Sequence, residues 1–413
     1  MIKYFILVFL AVVNFSSYSQ KICGTVYDES KISQEIREDV QSFYNRVGNK
    51  TQNYGNESIA INNFNPNSGI IMIPVVVHVV SRTLAENISD EQICSQIEIL
   101  NQDFGRRNAD RNQTPAQFSG LATNTEIQFY LATSDPSGNM TDGITRTSTS
   151  RISFTDNDDV KSTTTNGQDP WDTNRYLNIW VCNLANDLGG YAQFPWMYSS
   201  SPNTDGLVIH YEVFGNTGTL LPNYDLGRIA VHETGHWLGL KHIWGDDGGL
   251  CTESDDIADT PNQGNHYGGQ CPTTVQSSCG SNDMYMNYMD YTNDACKNLF
   301  TFGQKAVMRA TLNSGGYRGA FEYILPNMTG PSLVCTFNST FNLNNLPPGS
   351  TVNWSSSSNI NISISTNDQA TINASNPFVS GTGWLEANII TDCGEIPIRN
   401  FFWVGRQQTQ PEI

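Results

Sequence analysis

Three of the chain's six histidines fall in one short stretch, VHETGHWLGLKH, as His232, His236 and His242. Histidines spaced four apart project from one face of an α-helix, a single turn from each other, so His232 and His236 can grip one metal ion. Gly239 lets the chain leave the helix through left-handed backbone that glycine enters at little cost, and the turn brings His242 round as a third ligand. Three nitrogen ligands suit zinc and leave its fourth position open, which is the pattern of a catalytic rather than a structural site. Glu233 is placed beside them to take a proton from activated water as general base for attack on a peptide carbonyl. A bare HExxH match would be weak. With histidine this scarce, and with the glycine and third histidine also in place, scattered surface histidines are a poor account of the pattern.

These residues need a scaffold, and the chain supplies one. The run IIMIPVVVHVV (residues 70–80) is continuously apolar and β-branched, as in a strand covered on both faces. Ser89 and Asp90 cap a helical pattern that places Ile93, Ile97, Ile99 and Leu100 on one side and ends at Gly105. Further strands are expected at residues 127–132, 176–183 and 206–211, followed by the helix over 226–240 that carries the motif. About sixty residues after Gly239 lack periodicity and are rich in Gly, Asp, Asn, Pro and Cys, so other bonds must hold them. A last helix is expected over 303–314. The order predicts an α/β (α+β) domain with a mixed twisted sheet and an active-site helix, spanning residues 68–325. From residue 326 to 413 the chain turns to alternating Ser, Thr, Asn and apolar residues, as in STVNWSSS and NINISIST, which predicts a small all-β sandwich. Its Cys335, Trp354 and Cys393 follow the order of immunoglobulin-like domains, in which the disulfide joins the two sheets, so a Cys335–Cys393 bond is expected.

Composition narrows the setting. Residues 1–19 carry one lysine, an apolar run and then small residues, the pattern of a removable export signal, and no later stretch is long and apolar enough to span a membrane. The expected mature protein is therefore secreted, acts as a monomer, and takes protein or peptide substrates. Its formal net charge of −18 argues against nucleic-acid or anionic-membrane partners. Nine cysteines in an oxidising compartment favour disulfides, and the odd count leaves one over. Cys94 and Cys182 fit either a bond between them or simple burial. Residues 20–67 are polar apart from one helical stretch (33–44), and read as a pro-segment.

The extended zinc motif has the form of the metzincin signature, and the segments IPVVVHVV, ISDEQICSQIEILNQDFGRRN, GGYAQFPW, HETGHWLGLKHIWGD, CTESDDIADTP and MNYMDYTNDAC, in that order, resemble the pappalysin family of metzincins over roughly residues 70–315. The signature calls for a methionine turn under the zinc, for which Met289 is the candidate with Met284 and Met286 as nearby competitors, and the resemblance implies that Tyr291 stabilises the transition state. It implies calcium beside the active site, with Asp255, Asp256, Asp259 and Thr260 as hard oxygen donors, and disulfides Cys251–Cys279 and Cys271–Cys296. It further implies that Cys23 is a zinc ligand in a latent zymogen, holding the fourth position until the segment is removed. Some relatives cut beside Arg or Lys with an acid lining the pocket, for which Asp294 is a candidate. A rival reading, a relic metal domain attached to an adhesive sandwich, predicts a missing catalytic group. None of the expected groups is missing from the sequence.

Overall fold

The computed structural model describes residues 22–25, 27–55, 70–319, 327–344, 346, 349–391 and 393–405. The expected export signal lies outside these residues. A seven-stranded mixed sheet forms the main body. Its spine is β2 (Ile71–Ser81), buried from Ile71 to Val80. β2 pairs in parallel along one edge with β3 (Ile127–Leu131) and β4 (Ile144–Ser148), and along the other with β5 (Leu177–Cys182). β5 is followed in the sheet by β7 (Leu207–His210), in parallel, and then by antiparallel β6 (Leu188–Ala192). The two-residue strand β1 (Ile22–Cys23) closes the edge, parallel to β6.

Alternation along the strands sends Val75, Val77, Val79, Ile179 and Val181 to one face, where they join Ile93, Ile97 and Leu100 of α2 (Asp90–Phe104). The expected cap of α2 is present, Ser89 accepting from Gln92 N at 3.2 Å. The opposite face, with Trp180, Cys182 and Val208, is covered by Phe154 and by Val160 of a short 3-10 helix (Asp159–Lys161). Cys182 therefore points away from α2. It is buried as a free thiol and cannot reach Cys94.

The histidine-bearing helix α4 (Arg228–Trp237) packs on the same face as α2 and is tied down at both ends. At its start Arg228 pairs with Asp103 of α2 (3.1 Å) and with Asp110 (2.6 Å). At its end Trp237 Nε1 donates to Asp205 (3.1 Å), and Arg318 pairs with that same carboxylate while donating to Trp237 O (2.9 Å). Buried charges matched in this way are costly to separate, so the helix cannot slide. The short α3 (Ala116–Ser119) lies in the loop after α2, and α5 (Phe302–Leu312) begins with a capping box between Thr301 and Gln304.

The N-terminal segment packs on this body. After β1 comes α1 (Gln34–Gly55), longer than its expected span, which buries Val40, Phe43 and Tyr44 and sends the Tyr44 hydroxyl to the carbonyl of Gly239. The irregular stretch between α4 and α5 holds the hairpin β8 (Ser277–Ser278) and β9 (Ser281–Asn282) and a single 3-10 turn (Asp294–Cys296), and the structure bonds Cys251 to Cys279 and Cys271 to Cys296.

The C-terminal strands form two four-stranded sheets. One has the order β10 (Asn327–Thr329), β12 (Ser339–Asn344), β15 (Gln369–Ala374), β14 (Ile360–Ser365). The other runs β11 (Leu333–Val334), β17 (Gly394–Val404), β16 (Gly381–Thr391), β13 (Thr351–Ser356). This is the strand order of an immunoglobulin-type sandwich. The expected Cys335–Cys393 bond is absent: Cys393 is joined to Cys94 of α2, and Cys335 is free. The reason is the register. Cys335 follows β11, which pairs with Trp403 and Val404 at the far end of β17, whereas Cys393 precedes its first residue. Eleven extended residues separate the two cysteines by about 30 Å. Met72 and Tyr130 from β2 and β3 also enter the sandwich core, so the two bodies share apolar contact as well as a covalent bond.

Candidate metal centre

The structure brings His232, His236, His242 and Cys23 together, their ligand atoms all within 4.8 Å of one another; among the described residues no other set of three or more His, Cys, Asp or Glu side chains does so. The Nε2 atom of His236 lies 3.0 Å from that of each other histidine. Every Nδ1 faces an oxygen: Tyr288 O at 2.8 Å for His232, Leu240 O at 2.7 Å for His236, and Asp246 at 2.8 Å for His242. Those partners place the protons on Nδ1, so three Nε2 lone pairs converge on one point. Burial and mutual repulsion hold the His232 imidazole well below its ordinary pKa, and burial with His242 does the same for His236. Three neutral acceptors aimed at each other are stable only around a cation, and an all-nitrogen set with one thiol suits zinc.

Local backbone explains the convergence. α4 supplies the first two imidazoles. Gly239 then takes φ +93°, with Leu240 N returning to Gly235 O at 2.9 Å, and the reversed chain carries His242 back. Beneath them lies Met289, fully buried. It fits because Gly235 has no side chain: a β-carbon there would sit 2.5 Å from Met289 Sδ. Asn287 Oδ1 accepts from Met289 N at 2.9 Å and shapes the turn.

Glu233 is fully buried on the same helix. Its Oε2 accepts from Thr25 Oγ1 at 3.1 Å, while Oε1 has no hydrogen-bond partner. Burial pushes its carboxyl up to about 7, opposed by hydrogen bonds from Cys23 and Thr25. Tyr291 packs its ring against His242 (4.9 Å between centroids), Trp244 (4.7 Å) and His266 (4.8 Å), and its hydroxyl reaches Cys23 O at 3.5 Å. Thr25, Trp244, Asp246 and His266 were not identified from sequence. Only Asp246 carried a local signal, four residues past His242 beside Gly245.

The acidic loop is less convergent. Asp255 is fully buried, accepts from Thr260 Oγ1 at 2.7 Å and Ile257 N at 3.1 Å, and is pushed up to about 8 by burial. Asp256 instead pairs with Lys241 (2.7 Å). Asp259 accepts from Thr301 Oγ1 (2.7 Å) and Gly303 N (2.9 Å) at the start of α5. The expected donors thus face three different partners. Asp294 is buried too, its Oδ2 accepting from Leu226 N (3.0 Å) and Arg228 N (3.2 Å) where α4 begins.

A mixed sheet over an HExxH helix, a glycine turn to a third histidine and a buried methionine below define a metallopeptidase of the metzincin class. Known proteins agree. A family profile described as "Pregnancy-associated plasma protein-A" matches residues 158–313. An extracellular metalloprotease of Arthroderma otae is 33% identical over 240 residues, covering 57% of this chain and 75% of that protein. One from Sordaria macrospora is 40% identical over 147 residues, covering 34% of this chain and 50% of the relative, so the match spans half of that protein's length. Among solved structures, mature mirolysin of Tannerella forsythia in complex with a cleaved peptide is 55% identical, with a TM-score of 0.59 over 62% of this chain and 96% of that one. A point mutant of promirolysin from the same organism is 47% identical, with a TM-score of 0.65 over 73% and 97%. The chain belongs to the pappalysin family of metalloproteases.

Proposed function

We propose that this chain is a secreted zinc endopeptidase made in latent form, with Cys23 as its lock. The observation that carries the reading is the meeting of three Nε2 atoms, the Cys23 thiol and the buried Glu233 carboxylate at one sheet edge. Zinc bound by His232, His236 and His242 supplies Lewis acidity toward the scissile carbonyl and toward water. Glu233 takes the proton of the attacking water and returns it to the leaving amine. The Tyr291 phenol donates to the oxyanion that forms as water adds. Met289 provides the apolar floor that fixes the imidazoles.

In the latent state β1 occupies the edge of β6, where an extended substrate would otherwise pair, and Cys23 holds the fourth metal position. Burial and the neighbouring Glu233 push the Cys23 thiol up, so a thiolate is favoured only with a cation beside it. Thr25 occupies Glu233 at the same time. Release requires a cut between Cys23 and β2. Calcium fits best at Asp255, a fully buried carboxyl that forms no ion pair among the described residues.

Glu233→Ala in the activated protein is expected to retain one zinc and to lose about 10³-fold or more in casein hydrolysis. Undiminished cleavage by that variant would remove the catalytic assignment. A His242→Ala variant that kept its zinc would point to a different third ligand.

A further inference from the structure

Tyr27 follows Cys23 by four residues and takes no part in the chemistry above. From β1 onward this segment lies along the site as a bound peptide. Cys23 meets the histidines, Thr25 Oγ1 is 3.1 Å from Glu233 Oε2, and the Tyr27 ring then enters a pocket of its own. Trp196 meets that ring edge-on at 5.5 Å between centroids and Phe194 does so at 6.1 Å, while the Lys241 ammonium lies over the ring, 3.9 Å from its centre. The walls are continuous with the metal centre. Phe194 packs edge-on against the His236 imidazole (5.3 Å) and stacks on Trp196 (4.4 Å), and Lys241 directly precedes His242. Asp256 fixes the ammonium at 2.7 Å, so its position is set by a residue that stays when the pro-segment leaves. Tyr27 is also one wall of an adjoining cavity of about 200 Å³, which it shares with Lys241, Asp246, Glu253 and Asp256. Its departure therefore joins the ring pocket and the cavity into one recess.

We propose that Phe194, Trp196 and Lys241 form a substrate subsite that selects an aromatic side chain, and that Tyr27 is its occupant in the latent chain. This rests on the endopeptidase reading and deepens it. A substrate extended along β6 advances about 3.3 Å per residue, so the side chain that reaches this recess stands about four residues from the cleaved bond. Two ring edges favour an aromatic partner, and an ammonium over a ring face is attracted by its quadrupole. A saturated side chain of the same shape offers the ammonium nothing. An acidic one gains little, because Asp256 already matches Lys241.

The test uses the activated enzyme and a peptide series in which each position beyond the two flanking the cleaved bond carries Tyr, Phe, Trp, Leu, Ala, Glu or Lys in turn, with products read by mass spectrometry. At one position, about four residues from the bond, Tyr, Phe or Trp is expected to raise kcat/KM at least about tenfold over Ala, the gain lying mainly in KM. Replacing Phe there by cyclohexylalanine, which keeps the shape and removes the ring electrons, is expected to cost about threefold or more. Trp196→Ala and Lys241→Met are each expected to lower the ratio of aromatic to Ala peptides at that position by about threefold or more, with ratios at the other positions unchanged and zinc content intact. No aromatic preference at these positions, or a stronger one for Leu, Glu or Lys at the recess, overturns the proposal. So does a ratio that both variants leave unchanged, which would make Tyr27 an anchor of the pro-segment only. If neither variant folds, the cyclohexylalanine comparison decides, and equal rates overturn the proposal. A wild type that cleaves no peptide of any series would instead overturn the endopeptidase reading.

Discussion

The histidine turn and the C-terminal sandwich each carry a recognisable spacing of reactive residues, and they behaved in opposite ways. In the stretch from His232 to His242, residues within three helical turns meet as the spacing requires. In the sandwich, Cys335, Trp354 and Cys393 follow an equally familiar order, yet Cys393 bonds to α2 of the other body. Within one helix and one glycine turn, geometry follows from backbone dihedrals alone. Across 58 residues of β-structure it depends on which strand ends lie together, and β17 carries the two cysteines to opposite ends.

That contrast can be broken from either side. Cys94→Ala is expected to cost about 2–5 kcal/mol of stability, read as a lowered denaturation midpoint, whereas Cys335→Ser should cost little. Equal effects would mean that the bond is not where the structure puts it, and a non-reducing peptide map would show the pairing directly. At the histidine turn, Tyr291→Phe is expected to lower kcat about 10²-fold with little change in KM. A change in KM alone would make Tyr291 a substrate contact and not an oxyanion donor. Gly235→Ala drives a β-carbon toward Met289 Sδ and is expected to cost about 1–3 kcal/mol, measured by thermal melting. If it melts with the wild type, the methionine is not packed under the helix.

The last test concerns Asp255. Its carboxyl is pushed up to about 8 in the fold, against about 4 in an unfolded chain. Between those values the folded state holds a proton that the unfolded state releases, so in chelator the stability should fall as pH rises from about 4 to about 8. Asp255→Asn should flatten that dependence. Calcium should restore the wild type most strongly near pH 8, where the carboxylate becomes a ligand. No response to calcium at any pH would remove the cation from this loop.

Several elements were legible because their signals are local. The Ser89 cap with its apolar stripe yields α2, the β-branched run yields β2, and the HExxH helix appears within three residues of its expected ends. The strand β6 was not legible: LGGYA is too short and glycine-rich to read as a strand, and its glycine is explained only in three dimensions. A β-carbon on Gly190 would lie 3.0 Å from Glu233 Cγ. β4 and the two-residue β1 were missed for a related reason, since an edge strand is defined by the neighbour it pairs with. The calcium donors named from the acidic loop face Thr260, Lys241 and α5 separately, a division that no spacing reveals.

What the sequence alone determined is the reactive set on one helix and turn, His232, Glu233, His236 and His242, because fixed helical periodicity and one positive-φ glycine translate spacing into direction. Only the tertiary structure decided what surrounds that set. Thr25 lies on Glu233, and Cys393 is stapled to Cys94. These relations join residues 208 and 299 positions apart, and the packing of the sheet and its edges, which no local pattern encodes, sets them.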